Sequence, residues 1–201
     1  KLETELLAAG KKLSAQRKKL IPKLPQAVTI HLNDLGFAQS QLDVALTTTT
    51  AAAEAKATGL DMVEFQFAPN PGEPARPLRA IASSGELARV MLALKTVLAA
   101  EDSIPVLIFD EVDANIGGET AHAVGERMRQ IADQRQVLCI THLAPVAAVA
   151  QTHYVVSKAV IDGRTESNIT PLDAHARVEE LARMLGGQST AARKHAEELL
   201  K

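Results

Sequence analysis

Polar side chains that could bind a magnesium nucleotide directly follow two apolar segments of the chain. Asp110 and Glu111 come after the apolar run 106–109, and Thr141 and His142 come after a second such run. If both runs are parallel strands, their carboxyl ends open on one edge of the sheet, where α/β folds bind ligands. There one carboxylate can hold a magnesium ion, largely through water, and the other can orient and deprotonate an attacking water.

Each of these signals also has a simpler structural interpretation. The acid pair Asp110 and Glu111 can begin a helix, because negative charge is favoured at a helix amino terminus. His142, taken alone, can be a structural residue that follows a strand. Neither pair distinguishes the two interpretations by itself.

A third candidate site is the start of a predicted helix, formed by Ser83, Ser84, Gly85 and Glu86. Ser83 and Glu86 have the spacing of a capping box, in which each side chain bonds a free backbone amide of the first turn. A cap does not explain Gly85, which helix propensity disfavours. Glycine beside serine at a helix amino terminus lets backbone amides approach an anion closely. The segment therefore predicts a cap and an anion site.

Hydrophobic spacing predicts the elements that position these residues. Residues 1–21 form a predicted helix with Leu6, Leu13 and Leu20 at heptad spacing, which Pro22 and Pro25 interrupt or end. The other predicted elements are strands at 44–47 and 62–67, a stiff extended proline connector at 69–77, a helix at 87–98, a strand at 106–109, a helix around 121–131, a strand at 137–140, a hairpin formed by 154–161 and 165–169, and helices around 178–185 and 190–200.

The strands 106–109 and 137–140 are continuously apolar and flank a helix. This pattern is typical of a parallel crossover whose strands are buried on both faces. In the hairpin, Asp162 and Gly163 form the predicted turn. In the last helix pair, Gly186 and Gly187 end the first helix.

Composition excludes several classes of protein. Hydrophobic residues are 46% and charged residues 23%, which is enough apolar material for a core and argues against disorder. No apolar run approaches the roughly 20 residues that span a bilayer. Cys139 is the only cysteine, so a disulfide framework within the chain is excluded, and this fits a reducing cytoplasm. A net charge of -2 and 2% aromatic residues do not indicate a globally basic or base-stacking nucleic-acid binder.

Lysines recur at heptad spacing on the first helix, at positions 11, 12, 18 and 19. A solvated outer face is the simpler interpretation of such a stripe. Contact with nucleic-acid phosphates is the alternative, and the sequence leaves both open.

The order of these motifs resembles the C-terminal half of an ABC-type ATPase head, and within that class the SMC-like DNA repair ATPases. The segments that carry the resemblance are 70–74, 81–95, 107–113, 140–143 and 182–187. It covers nearly the whole chain. It implies an α/β fold with a mainly parallel core sheet, flanking helices and the end of a coiled-coil helix. Residues 1–24 would be the returning coiled-coil helix, and 25–201 the C-terminal lobe of the head.

The resemblance implies a role for each candidate residue. Asp110 matches the Walker B aspartate on Mg²⁺, Glu111 the catalytic base, and His142 the switch histidine that bonds the γ-phosphate. Residues 113–117, which include Asp113 and Asn115, match the D-loop that crosses the dimer.

The helix start at residues 83–86 matches the signature motif of this class, which contacts the γ-phosphate bound on the opposing head. Ser83, Gly85 and Glu86 fit the motif. Ser84 departs from it, because the family usually has the first of two glycines there, and its side chain hinders close approach to phosphate.

A Walker A loop, with Gly-Lys-Ser or Gly-Lys-Thr after a glycine five residues earlier, is not found. Gly10 and Lys11 are the only Gly-Lys pair, but Lys12 follows them and Glu5 stands where the first glycine belongs. In SMC-like proteins the Walker A half precedes a long coiled coil. We therefore expect the chain to supply half of a site, and to be inactive alone.

The resemblance implies a function in recombinational repair of DNA double-strand breaks, with ATP and Mg²⁺ controlling engagement of the heads on DNA. The implied partners are DNA, the N-terminal Walker A half of the same polypeptide and a second copy of the head, with no membrane and a cytoplasmic, nucleoid-associated location. Another SMC-like or ABC ATPase head and a non-catalytic dimerisation or DNA-tethering scaffold are the alternatives. Glu111 and His142 argue against a scaffold, which needs neither a base nor a phosphate sensor.

Overall fold

The chain folds as two units, residues 1–102 and 103–201. The structure is a computed structural model that describes residues 1–101, 103–161, 163–187 and 189–201. The division falls just before the strand that precedes Asp110. The boundary expected after residue 24 lies inside the first unit and remains a prediction. Each unit is described by itself.

The first unit combines three α-helices and two short 3-10 helices (Ala52–Glu54 and Leu78–Ala80) with an antiparallel sheet. Its elements are α1 (Leu2–Leu20), α2 (Lys23–Asp34), β1 (Gln41–Thr48), β2 (Asp61–Ala68), β3 (Arg76–Pro77) and α3 (Ser84–Val97). The strand order is β1-β2-β3, and Val44 pairs with Phe65 in the register of β1 and β2. The α2 helix packs on α3 and on β1. The largest fully buried side chains of this unit are Val28, Leu32, Leu35, Phe67, Val90 and Leu92.

The predicted first helix is confirmed, and the prolines after it begin a second helix that the sequence did not predict. Pro22 is the residue before the first turn of α2, and Pro25 lies within that turn. Proline is tolerated there because the first amides of a helix have no partner within the helix.

Helix α1 faces the unit with only one of its three heptad leucines, Leu13, which is half-buried beside Gly59. Gly10 and Ser14 are its buried residues, and a Cβ on Gly10 would lie 2.5 Å from the side chain of Leu60. Leu6 and Leu20, from the heptad positions, are exposed. The coiled-coil partner that would cover those leucines stays a prediction.

The strands predicted at 44–47 and 62–67 lie within β1 and β2. The proline connector is not extended throughout, which corrects the sequence prediction. The chain turns at Gly72, whose φ is +81°, and β3 then pairs back onto β2, with Pro77 opposite Gln66. Glycine adopts this left-handed conformation without steric cost.

The second unit contains a parallel strand pair, an antiparallel hairpin and a helical layer. Its elements are β4 (Val106–Phe109), α4 (Gly118–Ala132), β5 (Gln136–Cys139), α5 (Ala144–Ala148), β6 (Tyr154–Ile161), β7 (Arg164–Pro171), α6 (Ala174–Met184) and α7 (Thr190–Leu199). β4 and β5 are parallel, as predicted, and β6 and β7 form the predicted hairpin. Gly163 in its turn has φ +76°, whereas Asp162 lies outside the described residues.

The parallel strands are not buried on both faces, contrary to the sequence prediction. Phe109 is 6% exposed, but its neighbour Ile108 is 68% exposed, and Leu138, which pairs with Ile108, is also exposed. Ile108 and Leu138 are directly paired, and paired residues of neighbouring strands point to the same face of the sheet, so one face of the pair is exposed at this position. Helix α4 packs against β5, and one helical layer cannot cover both faces of two strands.

Small residues bring α5, α6 and α7 close together. Ala147, Leu181 and Ala196 are among the buried residues of this cluster. Asp173 caps α6 by accepting a 2.8 Å hydrogen bond from the amide of Ala176, and Gly186 and Gly187 end the helix with positive φ, as predicted. The mixed α/β class is confirmed. Across the four described ranges, no helix is both long enough and apolar enough to cross a membrane.

Candidate functional site

Parallel pairing brings the carboxyl ends of β4 and β5 together, as the sequence predicted. Phe109 pairs with Cys139, and the amide of Ile140 donates a 3.0 Å hydrogen bond to the Phe109 carbonyl. Asp110 and Thr141 are the residues that follow these two strand ends, and the Asp110 side chain is exposed to solvent. The acid pair and the Thr-His pair therefore leave the sheet at one edge.

The backbone after Asp110 adopts an uncommon conformation at two candidate residues. Glu111 has φ +58° and Asn115 has φ +60°. Left-handed backbone costs an L-residue roughly 1–2 kcal/mol, and asparagine tolerates it better than glutamate does. The amide of Ala114 donates to the Glu111 carbonyl at 3.0 Å, which closes a turn between these residues. An outlier of this kind points to a functional constraint, here at the residue expected to be the base.

This turn exposes Glu111 and directs the side chain of Asp113 inward. Asp113 Oδ2 accepts hydrogen bonds from Thr141 Oγ1 at 2.5 Å and from the His142 amide at 2.9 Å, and it lies 3.1 Å from His142 Nδ1. Thr141 Oγ1 also accepts a 3.0 Å bond from the amide of Leu143. We call Asp113, Thr141 and His142 the Asp113 cluster.

The Asp113 cluster adds contacts that the sequence did not indicate. The carboxylate of Asp113 bonds groups of its own unit, and the role of its loop at a second head stays a prediction. No role was predicted for Thr141. Its place directly after a strand was the available signal, and its pairing with a carboxylate 28 positions earlier is visible only in three dimensions.

His142 presents an accessible imidazole on a fixed backbone. Its side chain is 70% exposed, while that of Asp113 is 3% exposed. The buried carboxylate thus lies beside one ring nitrogen of an imidazole that otherwise faces solvent. Asn115, the other candidate of this loop, is exposed.

Cys139 borders the site without taking part in its chemistry. Burial raises the pKa of the Cys139 thiol to about 12, and the negative charges of Asp113 and Asp110 act in the same direction. The thiol therefore stays neutral at physiological pH, whereas nucleophilic and metal-binding cysteines act as thiolates.

The candidate signature residues belong to the first unit. Ser83 is the N-cap of α3, and its Oγ accepts a 3.3 Å hydrogen bond from the Glu86 amide, which confirms the predicted cap. Gly85 is buried and Ser84 is exposed. Because Gly85 is buried, its small size also has a role in packing, in addition to the predicted role of letting an anion approach the backbone amides.

The oxygen donors at the end of β4 fit Mg²⁺ better than a transition metal. In the described parts of the chain, no three His, Cys, Asp or Glu side chains are grouped as a ligand set. Mg²⁺ needs no such cage, because it binds one or two carboxylates, keeps several waters and takes its other ligands from phosphates. The exposed carboxylate of Asp110 is suited to that mode of binding.

Proteins of similar sequence include DNA repair proteins named RecN. The chain is 48% identical over 200 residues to the DNA repair protein RecN of Deinococcus radiodurans, which is 99% of this chain and 35% of that protein. The RecN proteins of Treponema pallidum and Bacillus subtilis are 43% and 35% identical, with all of this chain covered and 36% and 38% of theirs. No family model matches the chain.

Solved structures of similar fold include SMC head domains. The Smc head domain with a coiled coil and joint from Pyrococcus yayanosii has a TM-score of 0.55 at 17% identity, over 95% of this chain and 32% of that one. The Pyrococcus furiosus Smc head domain with an extended coiled coil has a TM-score of 0.53 at 18% identity, over 81% and 37%. The expected C-terminal segment of an ABC/SMC-type head is thereby confirmed as a fold.

The alignments span essentially the whole chain but about a third of each RecN protein. The motifs at Ser83–Glu86, Asp110–Glu111 and Thr141–His142 all fall within that aligned length. The resemblance to the SMC-like DNA repair ATPases is therefore confirmed, and the proteins that the chain resembles, over about a third of their length, are the DNA repair proteins RecN.

Proposed function

We propose that the chain is part of an SMC-like ATPase that acts in recombinational repair of DNA double-strand breaks. ATP binding and hydrolysis would control the engagement of two heads on DNA. The observation that carries this proposal is the similarity to RecN over the whole chain, together with Asp110, Glu111 and His142 at one edge of the parallel strand pair.

Three residues of the second unit would have separate roles in binding and hydrolysing the nucleotide. Asp110 would hold Mg²⁺, which supplies positive charge that offsets the charge of the phosphates. Glu111 would accept a proton from the attacking water, because its carboxylate is exposed at the same strand end. His142 would bond the γ-phosphate through the exposed imidazole.

The amino terminus of α3 would contact the nucleotide held by a second head. Its first amides carry partial positive charge and suit a phosphate. Ser83 accepts a hydrogen bond from one of them, the amide of Glu86, and so fixes the start of the helix that would face the phosphate. Asn115, on the loop after Asp110, would face the second head.

The other partners would be the N-terminal Walker A half of the same polypeptide and DNA. A covering half is supported by the exposed apolar side chains Ile108, Leu138 and Ile140 at the parallel strands. We expect the chain alone to bind ATP poorly and not to hydrolyse it, because most phosphate contacts would come from the missing loop. The protein would act in the cytoplasm, on the nucleoid.

The decisive experiment is Glu111→Gln in the full-length protein. ATP binding should persist while turnover falls by about 10²–10⁴-fold, the usual effect of removing a general base. Glu119→Gln is the matched control, since Glu119 is an exposed carboxylate in the first turn of α4. Turnover measured by phosphate release at the unmodified rate in Glu111→Gln would remove Glu111 from the reaction.

A further inference from the structure

The short helix α5 is joined directly to His142 through its N-cap residue, Leu143. The Leu143 amide donates a 3.0 Å hydrogen bond to Thr141 Oγ1, and the Leu143 carbonyl accepts bonds from the amides of Val146 and Ala147 at 3.1 Å each. His142 therefore lies inside a hydrogen-bonded stretch that runs from Thr141 into the helix. Because α5 has five residues, and isolated helices shorter than roughly 12–15 residues are marginal in water, its position depends on its neighbours.

One side chain of α6 holds the carboxyl end of α5. Arg177 Nη2 donates hydrogen bonds to the carbonyl oxygens of Ala148 and Ala150 at 2.7 and 2.5 Å, and it lies 3.4 Å from that of Ala147. The last carbonyls of a helix have no partner within the helix, and a guanidinium beside them satisfies their hydrogen bonds and complements the helix dipole. The half-buried Arg177 thus fixes the end of α5 that is farther from His142.

Helix α5 is also in close contact with α4, at a glycine. A Cβ on Gly125 would lie 3.0 Å from the carbonyl oxygen of Pro145 and 3.3 Å from a methyl group of Val149. A side chain at this buried position would require α5 to move by a few tenths of an ångström. Gly125→Ala is therefore a way to displace α5 without touching Arg177.

We propose that Arg177 is a positioning residue for His142, which acts by holding the carboxyl end of α5. A shift of this helix reaches His142 because Leu143 connects the two without an intervening loop. The consequence for turnover rests on the proposed ATPase function, in which His142 would bond the γ-phosphate. The placement of His142 does not, because it follows from contacts within the second unit.

Three substitutions on α6 separate this role from a general contribution to stability. Arg177→Met removes every donor and keeps much of the aliphatic part of the side chain. Arg177→Lys is the conservative variant: the contacts all come from Nη2, and an ammonium nitrogen carries three donors of its own. Arg183→Met is the matched control, because the exposed guanidinium of Arg183 pairs with Glu180 of the same helix at 2.6 Å.

The first test is the ¹H–¹⁵N NMR signal of the His142 backbone amide in the full-length protein, with labelled histidine and without nucleotide, using His142→Gln to assign it. This amide donates to Asp113 Oδ2 at 2.9 Å, so its chemical shift reports a displacement of His142. We expect the signal to move in Arg177→Met and in Gly125→Ala, and to stay in place in Arg183→Met. An unchanged signal in either of the first two variants, or an equal change in Arg183→Met, overturns the proposal. Gly125→Ala and Arg177→Lys decide the matter if Arg177→Met does not fold: the signal should move in the first and stay in place in the second.

The second test is a double-mutant cycle on ATP turnover. Arg177→Met should lower turnover by about 10-fold, since misplacing a reacting group by about 1 Å can cost about 10²-fold and the expected shift is smaller. Arg177→Lys should restore most of this loss. In the His142→Ala background, Arg177→Met should have no further effect, because the residue through which Arg177 acts is gone. Effects that multiply would show that Arg177 acts independently of His142 and would overturn the proposal. If the unmodified protein hydrolyses no ATP, the proposed function fails while the NMR result still decides whether Arg177 positions His142.

Discussion

At the scale of single residues, Glu111 combines a proposed catalytic role with a backbone conformation that glutamate disfavours. Its φ of +58° is forced by the turn that exposes Glu111 and directs Asp113 inward. Glycine would adopt the same conformation without steric cost. The free-energy cost of this backbone conformation can therefore be measured apart from the loss of the carboxylate, by comparing two substitutions that both remove the carboxylate.

We predict that Glu111→Gly is more stable than Glu111→Ala by about 0.5–1 kcal/mol, although neither variant retains the proposed base. Alanine keeps the left-handed penalty of roughly 1–2 kcal/mol, and the greater chain entropy of unfolded glycine offsets part of the difference. Denaturant unfolding measures this directly. Asn115, with φ +60°, is the comparison: Asn115→Gly against Asn115→Ala should give the same sign. Equal stability of the two Glu111 variants would argue against a strained turn.

At the scale of elements, Asp61 is the residue through which α1 is attached to the sheet. Its carboxylate accepts bonds from Ser14 at 2.6 Å, Thr48 at 2.7 Å and Arg17 at 2.9 Å, so it joins α1, β1 and β2. The hydrogen bond from Ser14, followed by those from Thr48 and Arg17, lowers the pKa of Asp61, although burial acts in the opposite direction.

This lowered pKa makes part of the stability of the first unit dependent on pH. The contribution is present above the unfolded pKa of about 3.9 and is lost as the pH falls through the lower folded pKa. We predict that Asp61→Asn destabilises the protein at neutral pH, and that the difference from the unmodified protein shrinks as acid protonates Asp61. Thermal unfolding at several pH values measures this difference. Asp43→Asn, at an exposed carboxylate of β1, is the control and should show no such change.

Several elements follow directly from residue spacing, whereas others depend on contacts that spacing does not encode. Helix α3 and the strand pair β4 and β5 are visible as an apolar face and two apolar runs. Helix α2 was missed because Pro22 and Pro25 resemble a helix stop, although both positions tolerate proline when a helix begins.

The candidate site, like the elements, could be predicted only in part. Asp110 and Glu111 could be placed at a strand end because the sheet is parallel, and the Ser83 cap follows from local spacing. The inward role of Asp113 could not be predicted, because it requires a left-handed turn at Glu111 and a partner on another strand.

At the scale of the whole molecule, the lysines of α1 bear on the proposed contact with DNA. Lys11, Lys12, Lys18 and Lys19 are all exposed. If they bind phosphates, replacing all four by glutamine in the full-length protein should weaken duplex binding. The slope of log K against log salt should flatten by about 0.9 for each phosphate that the variant no longer neutralises. The control replaces the exposed lysines 56, 158, 194 and 201. Identical slopes for both variants would favour the solvated-face interpretation.

The proposed assembly of two heads would depend on the amino terminus of α3. Within the first unit Ser83 caps α3, and the proposed function places the phosphate that its amides bind on a second head. Each head would then complete the site of the other, which makes the interface isologous. ATP should therefore drive dimerisation of the full-length protein, most visibly in Glu111→Gln, because hydrolysis no longer reverses it.

We predict that Ser83→Arg in the Glu111→Gln background abolishes this ATP-driven dimer while leaving ATP binding to each monomer nearly intact, because the long side chain blocks the phosphate of the facing head and not its own. Ser189→Arg is the matched control, since Ser189 caps α7 by accepting a 3.2 Å bond from the Ala192 amide. Both substitutions lose an N-cap, typically about 1 kcal/mol, so a shared loss of stability cannot explain a difference in assembly. Sedimentation with and without ATP measures dimerisation of the two variants and shows whether only Ser83→Arg prevents it. A Ser83→Arg protein that dimerises normally, or that no longer binds ATP as a monomer, would show that Ser83 does not act across the interface.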